Sequence, residues 1–403
     1  MPHGGFVTFV YIQRTQSMTE QPLKGLYLVS EPACLSQKSG AFRHIQVGVD
    51  HLNRHFEVTL FPLCEVPEAP PAQSTPAGPP PTPPAYKSHP LYGGMKDLYR
   101  WYKNQRQYAV DLERIRAMKP DFIYERAAYL NFSGIRAARE LGIPHFYEAN
   151  GLQYLAVKAY YQSVFNRRME KLERKAYRAS DHVFFVGTWG DRMQLSSTNW
   201  QNIENGIEES FLQQFPTPKQ SPHLPLKICF VGKLMAFHRT DLLEQAMALL
   251  PAGVPLEIHL IGSGFSALEE SLQAFVPVFN HGYLSREALS SLLQKMDIGL
   301  IPGGHEYPSF MKLFEYGAAR LLTLCPPLHN LAYWFSDEEL FFFEKNNPQA
   351  LADSLLKLIE QPELVAAYGN RLHEKVAREF TWTHIFDQIS GVMKDHLTSP
   401  AHA

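Results

Sequence analysis

The chain has 403 residues, 45% apolar and 19% charged, a soluble composition long enough for two domains with cores of their own. A formal net charge of -2 provides no global basic field to attract nucleic acid or an anionic membrane. Cys34, Cys64, Cys229 and Cys325 lie far apart with no CxxC pair, which argues against a zinc ribbon, a redox couple or a disulfide scaffold and fits a reducing, cytoplasmic setting.

The opening MPHGGFVTFVYIQRTQS has a short apolar run without a basic leader, shorter than a secretory core or a membrane span, so no signal peptide is expected. Residues 1–22 read as a disordered tail, with Met18 an alternative start. From residue 23, KGLYLVS, FEVTLFPL, DFIYE, PHFYEAN and HVFFVG read as strands separated by helical spans, an α/β domain over residues 23–210. Its anomaly is residues 67–90, PEAPPAQSTPAGPPPTPPAYKSHP, whose prolines forbid helix and inner strand alike. It reads as an extended, partly polyproline loop leading into a helix near Met95. In NRRMEKLERKAYR, Arg167, Lys171, Arg174, Lys175 and Arg178 share a helical stripe. Glu170 and Glu173 interleave as i to i+4 partners, so a solvated face is expected there, with at most weak peripheral contact at the inner face of a membrane.

FLQQFPTPKQSPHLP, residues 211–225, is a second polar, proline-rich cluster and reads as the hinge linker. Beyond it LKICFVG, LEIHLIGSG and DIGLIPG alternate as strands with the helices DLLEQAMALL, SREALSSLLQKM and PSFMKLFEYGAA. That alternation predicts parallel βαβ units in a doubly wound domain over residues 226–382, with ligands at the carboxyl ends of its strands. The remaining residues, 383–403, read as a helix that returns to the first domain.

Four places in this half have site-like chemistry. After the first strand, Gly232 lets a ligand approach the backbone, and Lys233 and Arg239 bracket a helix amino end that favours anions. Gly262 and Gly264 give a second close approach at the same sheet edge, and Tyr283 and Leu284 in HGYLS border a third loop. In GGHEYPSFMKLFEYGAA, Pro308 suits a first helical turn, and Ser309, Phe310 and Met311 offer free amide groups. Glu315 falls about a turn and a half inside, beside Lys312, where a carboxylate accepts two hydroxyls of a ribose or sugar. Ordinary strand-to-helix turns, or a Glu–Lys pair on a solvated face, fit the same residues, and spacing alone leaves both readings open.

Taken in order, FVGKL with Arg239, LIGSG, HGYLS, PSFMKLFEYGAA and the final EFTW resemble the nucleotide-sugar domain of the retaining glycosyltransferases of family four. SGAFRHI, DFIYER, GIPHFYEANG and ENGIEESF resemble, more loosely, that family's acceptor domain and hinge entry. The resemblance implies a GT-B fold, two Rossmann-like domains facing a central cleft, with the terminal helix crossing back. It implies that Lys233 and Arg239 neutralise the diphosphate of a donor, that Tyr283 and Leu284 border its base, and that Glu315 holds its ribose. Gly40, in the first β-to-α loop, would let the backbone approach the donor phosphate, and Tyr307, Ser309, Phe310 and Met311 would line the donor site. The family often carries a glutamate where this chain has Tyr307; Glu306 is off by one, so the contact to the donor sugar is not carried over. Glu148 or Asn150 is the residue implied to face the acceptor, Glu148 in a catalytic role. The implied reaction moves a sugar from a UDP- or GDP-linked donor to a lipid, polysaccharide or small-molecule acceptor. It uses no cofactor and no metal, in keeping with a chain that has no DxD motif. The leaving phosphate would take the acceptor's proton. Two other readings are an epimerase of the same fold, which needs no acceptor, and a catalytically silent nucleotide-sugar-binding protein.

Overall fold

The computed structural model describes residues 22–35, 40–61, 89–156, 164–196 and 199–398. The tail up to residue 21, Met18 included, and residues 62–88, which hold most of the proline-rich stretch, lie outside the described residues. In the first half, β1 (Lys24–Val29), β2 (Glu57–Phe61), β3 (Phe122–Arg126), β4 (His145–Ala149), β5 (His182–Val186) and β6 (Trp200–Ile203) pair in the order β2-β1-β3-β4-β5-β6. In the second, β7 (Leu226–Lys233), β8 (Leu256–Ser263), β9 (Val278–Gly282), β10 (Ile298–Leu300), β11 (Leu322–Cys325) and β12 (Phe341–Phe342) pair as β12-β11-β10-β7-β8-β9. Every neighbouring pair is parallel. Strands such as FIYER, HFYEA and HVFFV are buried at each residue, as expected where helices cover both faces of a parallel sheet.

The first sheet is accompanied by α1 (Gly40–Leu52), α2 (Pro90–Met118), α3 (Ser133–Leu141), α4 (Gln153–Ala156), α5 (Asn166–Ala179), α6 (Trp189–Met193) and α7 (Glu209–Leu212). The second is accompanied by α8 (Thr240–Leu249), α9 (Ser266–Leu272), α10 (Arg286–Leu293), α11 (Met311–Ala318), α12 (His329–Trp334), α13 (Pro348–Glu360) and α14 (Glu363–Glu379). The helix expected near Met95 starts earlier, at Pro90, because proline fits a first helical position and the His89 side chain accepts from the Leu91 amide. The hinge stretch likewise opens inside α7; we propose residues 211–225 as the hinge on its course from β6 to β7.

The last helix, α15 (Trp382–Thr398), crosses back as expected. Trp382 meets His44 of α1 edge-on at 5.0 Å, Phe386 stacks on His51 at 5.9 Å, and His396 reaches Phe146 of β4 at 6.0 Å. The two halves do not keep wholly separate cores. One apolar cluster runs from Tyr27, Ile45 and Phe184 through Phe386 and Trp382 to Phe314 and Phe380.

Candidate active site

A cavity of about 810 Å³ opens between the two sheets, with Asn150, Gly151, Leu152 and Trp189 on one side and Gly232, His238, Lys312 and Glu315 on the other. Gly232, near the end of β7, lines it without a side chain. Gly232 and Gly262 are register partners on β7 and β8 with φ of 127° and 136°, and a Cβ on Gly262 would overlap the Gly232 carbonyl. These are conformations that side-chain-bearing residues rarely adopt, so glycine is required at both positions.

Helix α11 supplies the wall, and Tyr316 sets its position. The Tyr316 ring lies against Gly299 of β10, and its hydroxyl accepts from the Val231 amide at 3.0 Å. With Tyr316 fixed inward, Lys312 and Glu315 face the cavity together. The Lys312 ammonium sits over the Phe230 ring at 4.0 Å and 3.3 Å from His238 Nε2. Burial pushes the Lys312 pKa down to about 8, and burial, with Lys312 and His305 nearby, pushes that of His238 down to about 4. The Met235 amide donates to His238 Nδ1 at 3.1 Å, which leaves the ring proton on Nε2, facing Lys312. Two donors therefore crowd each other at contact distance, an arrangement satisfied by an anion at the cavity side that accepts from both. Neither residue is among those the sequence implied for the diphosphate. The available signal was Lys312, three positions before Glu315 in the same motif.

Glu315 lines the cavity but is not free. Arg286 of α10 donates to it at 2.6 Å and to Glu208 at 2.7 Å, with its guanidinium on the Phe211 ring at 3.8 Å. Glu208 also pairs with Arg43 of α1. Burial raises the Glu315 pKa against the pull of Arg286. The expected lone carboxylate beside Lys312 is thus the end of a four-residue charge chain, and Arg286 holds one of its oxygens. Because α11 begins at Met311, Glu315 lies about one turn in, and Pro308 and Ser309 precede the helix instead of forming its first turn. Tyr307, Ser309, Phe310 and Met311 all line the cavity, as does Glu306, which pairs with Lys345 and accepts from the His329 amide at 2.9 Å.

The remaining candidates stand apart from the cavity. Lys233 is exposed at the end of β7. Arg239, at φ 54°, donates from Nε and Nη2 to Asp241, each at 2.9 Å, and from Nη1 to Asn346 at 2.5 Å. Gly264 (φ 89°) faces Leu234, Tyr283 is 90% exposed, and Leu284 packs on the core. Gly40 is the first residue of α1, and the loop before it lies outside the described residues.

The sequence profile described as Glycosyltransferase Family 4 matches residues 38–190, and the one described as Glycosyl transferase-like matches residues 239–391. The chain belongs to the family-four glycosyltransferases. Alpha-maltose-1-phosphate synthase of Mycolicibacterium smegmatis is 22% identical over 303 residues, covering 66% of this chain and 76% of its own. Sucrose-phosphate synthase of Thermosynechococcus elongatus shares the fold with a TM-score of 0.66 at 15% identity, over 93% of this chain and 99% of its own. HepE of Anabaena in complex with UDP does so at 0.65 and 13%, over 93% and 100%. The two facing parallel sheets are the GT-B fold.

In this glycosyltransferase, Glu148 does not reach the cleft. It is fully buried and accepts from Tyr124 at 2.7 Å, Tyr27 at 3.3 Å, Arg126 and Asn150, with His44 Nε2 at 2.9 Å. Burial alone would raise its carboxyl, yet His44 and Arg126 hold it well below the usual carboxylate range. Asn150 is the member of this group that lines the cavity, oriented by Glu148.

The two halves of the glycosyltransferase meet in a seam behind the site. A Cβ on Gly187 would overlap the Tyr307 carbonyl, the Thr188 amide donates to that carbonyl at 2.8 Å, and His329 meets Asp191 at 2.9 Å. Buried Glu204 accepts from Asn330 at 2.7 Å, and burial raises its carboxyl to about 7. Gly187→Ala should separate the seam: φ of 86° is unfavourable to alanine, at a cost of about 1–3 kcal/mol, and the methyl has no room. A lower melting temperature with a larger radius of gyration in X-ray scattering is the expected result; a variant with wild-type values would show that the seam yields without strain.

Proposed function

We propose that this glycosyltransferase moves a sugar from a nucleoside-diphosphate sugar to an acceptor hydroxyl, with retention of anomeric configuration and without a metal. The observation that carries the reading is the pair of donors, Lys312 and His238, converging beside Gly232 and the start of α11. Together they stabilise negative charge where it grows on a leaving phosphate. Lys233 and Arg239 end the same strand-to-helix connection and would meet the outer phosphate oxygens, Arg239 after leaving Asp241. Glu315, with one oxygen held by Arg286, offers the other to the ribose. Tyr283 and Leu284 would border the base, and Asn150 would face the acceptor from across the cavity. UDP-linked donors head the panel to be tried because HepE, of the same fold, has been seen with UDP and with UDP-glucose.

Incubation with an α-linked donor and candidate acceptors, followed by proton NMR of the product, tests the reading. The expected product has an α linkage, and its yield is the same in excess EDTA. An inverted linkage or loss of activity on chelation would overturn the corresponding part. Isomerised donor in the absence of acceptor would favour an epimerase, and tight donor binding with no turnover a silent binding protein.

A further inference from the structure

The first half of α2 is turned inside out. Leu91, Met95, Leu98 and Tyr102, spaced four, three and four residues apart, form one stripe and are 73%, 70%, 56% and 54% exposed. Polar residues take the inward positions: Asp97 is buried and accepts from the Tyr129 hydroxyl at 3.0 Å, and Asn104 donates to the Leu130 carbonyl at 2.9 Å. Only farther along, at Tyr108, Leu112 and Ile115, does the helix bury an apolar face in the ordinary way. Lys96, Lys103 and Arg106 flank the outward stripe, and between residues 91 and 106 the single acid is the buried Asp97. Exposed Tyr99 and Trp101 add amphipathic rings.

The start of α5 continues this surface. Val164 lies beside Gly94, and Arg167 and Lys171 are exposed. Glu173, which the sequence pattern set among the α5 cations as a neutralising partner, instead points inward, accepting from the Gln153 and Tyr154 amides at 2.8 and 2.9 Å. The outer face is therefore more cationic than the pattern implied.

We propose that the outward face of α2 is a docking surface for an anionic lipid bilayer, with its apolar stripe in the headgroup region and its lysines and arginines on lipid phosphates. Charge complementarity favours this occupant over another protein surface, and aromatic rings beside cations suit an interface. No helix among the described residues is long and apolar enough to cross a membrane, so the attachment lies along the surface. The face borders a cavity of about 580 Å³ where Tyr99, Arg100 and Lys103 meet Ser30 and Glu31 at the carboxyl edge of β1. Docking would bring a lipid-borne hydroxyl to the acceptor side. The lipid class of that acceptor rests on the transferase reading; the docking does not.

Flotation of the full chain with phosphatidylcholine vesicles, and with vesicles that also hold phosphatidylglycerol, tests the proposal without any turnover. The chain should float with the anionic vesicles alone. Leu98→Ser/Tyr102→Ser and Lys96→Glu/Lys103→Glu should each reduce the bound fraction on the order of tenfold, with circular dichroism and melting unchanged. Trp101 emission should shift to the blue on anionic vesicles, a shift that Trp101→Phe removes. The proposal is overturned by absence of flotation, by equal flotation of the variants, or by a wild-type dimer in ultracentrifugation that Leu98→Ser/Tyr102→Ser dissociates, since the face would then belong to a second copy.

Discussion

Alanine at position 312 lowers kcat/KM for sugar transfer about a hundredfold, about 2.7 kcal/mol, the loss associated with removing one donor from a site of developing charge. Lys312 is half-buried against Phe230, and among the described residues no carboxylate lies at salt-bridge distance, so its removal should leave the fold intact. A melting temperature at or above that of the wild type, together with weak nucleoside-diphosphate binding by calorimetry, is the expected pattern. Unchanged transfer would dismiss Lys312 from the phosphate role. Its pH dependence gives a second check. With the free amine titrating at about 8, the binding-competent ammonium dominates below that value and is lost above it. Donor affinity should hold up to neutral pH and fall about tenfold between pH 7 and pH 9. Lys312→Arg, charged throughout, should flatten that profile.

The second large effect is on stability. Glu148→Ala removes the anion on which Arg126 and His44 converge, leaving the buried guanidinium uncompensated at a cost of about 3–5 kcal/mol. Urea unfolding should show this as a lower midpoint with an unchanged slope. The sign with pH follows from a carboxyl held below its ordinary value of 4.5. Its contribution is complete above that value and is lost as pH falls, so the gap between wild type and variant should narrow in acid. A variant as stable as the wild type but inactive would restore Glu148 to the catalytic role that the sequence suggested.

That suggestion shows where the sequence can be read and where it cannot. Buried parallel strands show as short runs rich in aromatic and β-branched residues, so FIYER, HFYEA and LKICFVG were legible. LTLC of β11 was not, because it follows AARL without punctuation and a short apolar run does not distinguish helix from strand. WQNI and the two-residue β12 are edge strands with little pattern to read. For Glu148, a signal was present: period two puts it on the same face as Phe146, which is fully buried. Arg286 is a different case. Its bond to Glu315 joins residues 29 apart, and its bond to Glu208 joins residues 78 apart. Such pairings are set by how helices meet, which no local spacing records. The glycines at 232 and 262 were legible as backbone approaches, but only the fold shows that they face each other.

The seam at Gly187 has a consequence for how the two substrates bind. Tyr307 belongs to the loop that lines the cavity, yet its carbonyl is held by the Thr188 amide, one residue beyond Gly187 in the connection from β5 to α6. On the proposed reading, a nucleotide sugar that shifts this loop would shift the other half as well, and its binding would be coupled to that of the acceptor. Coupling of this kind is reciprocal: whatever factor the nucleotide sugar contributes to acceptor affinity, the acceptor returns to the nucleotide sugar.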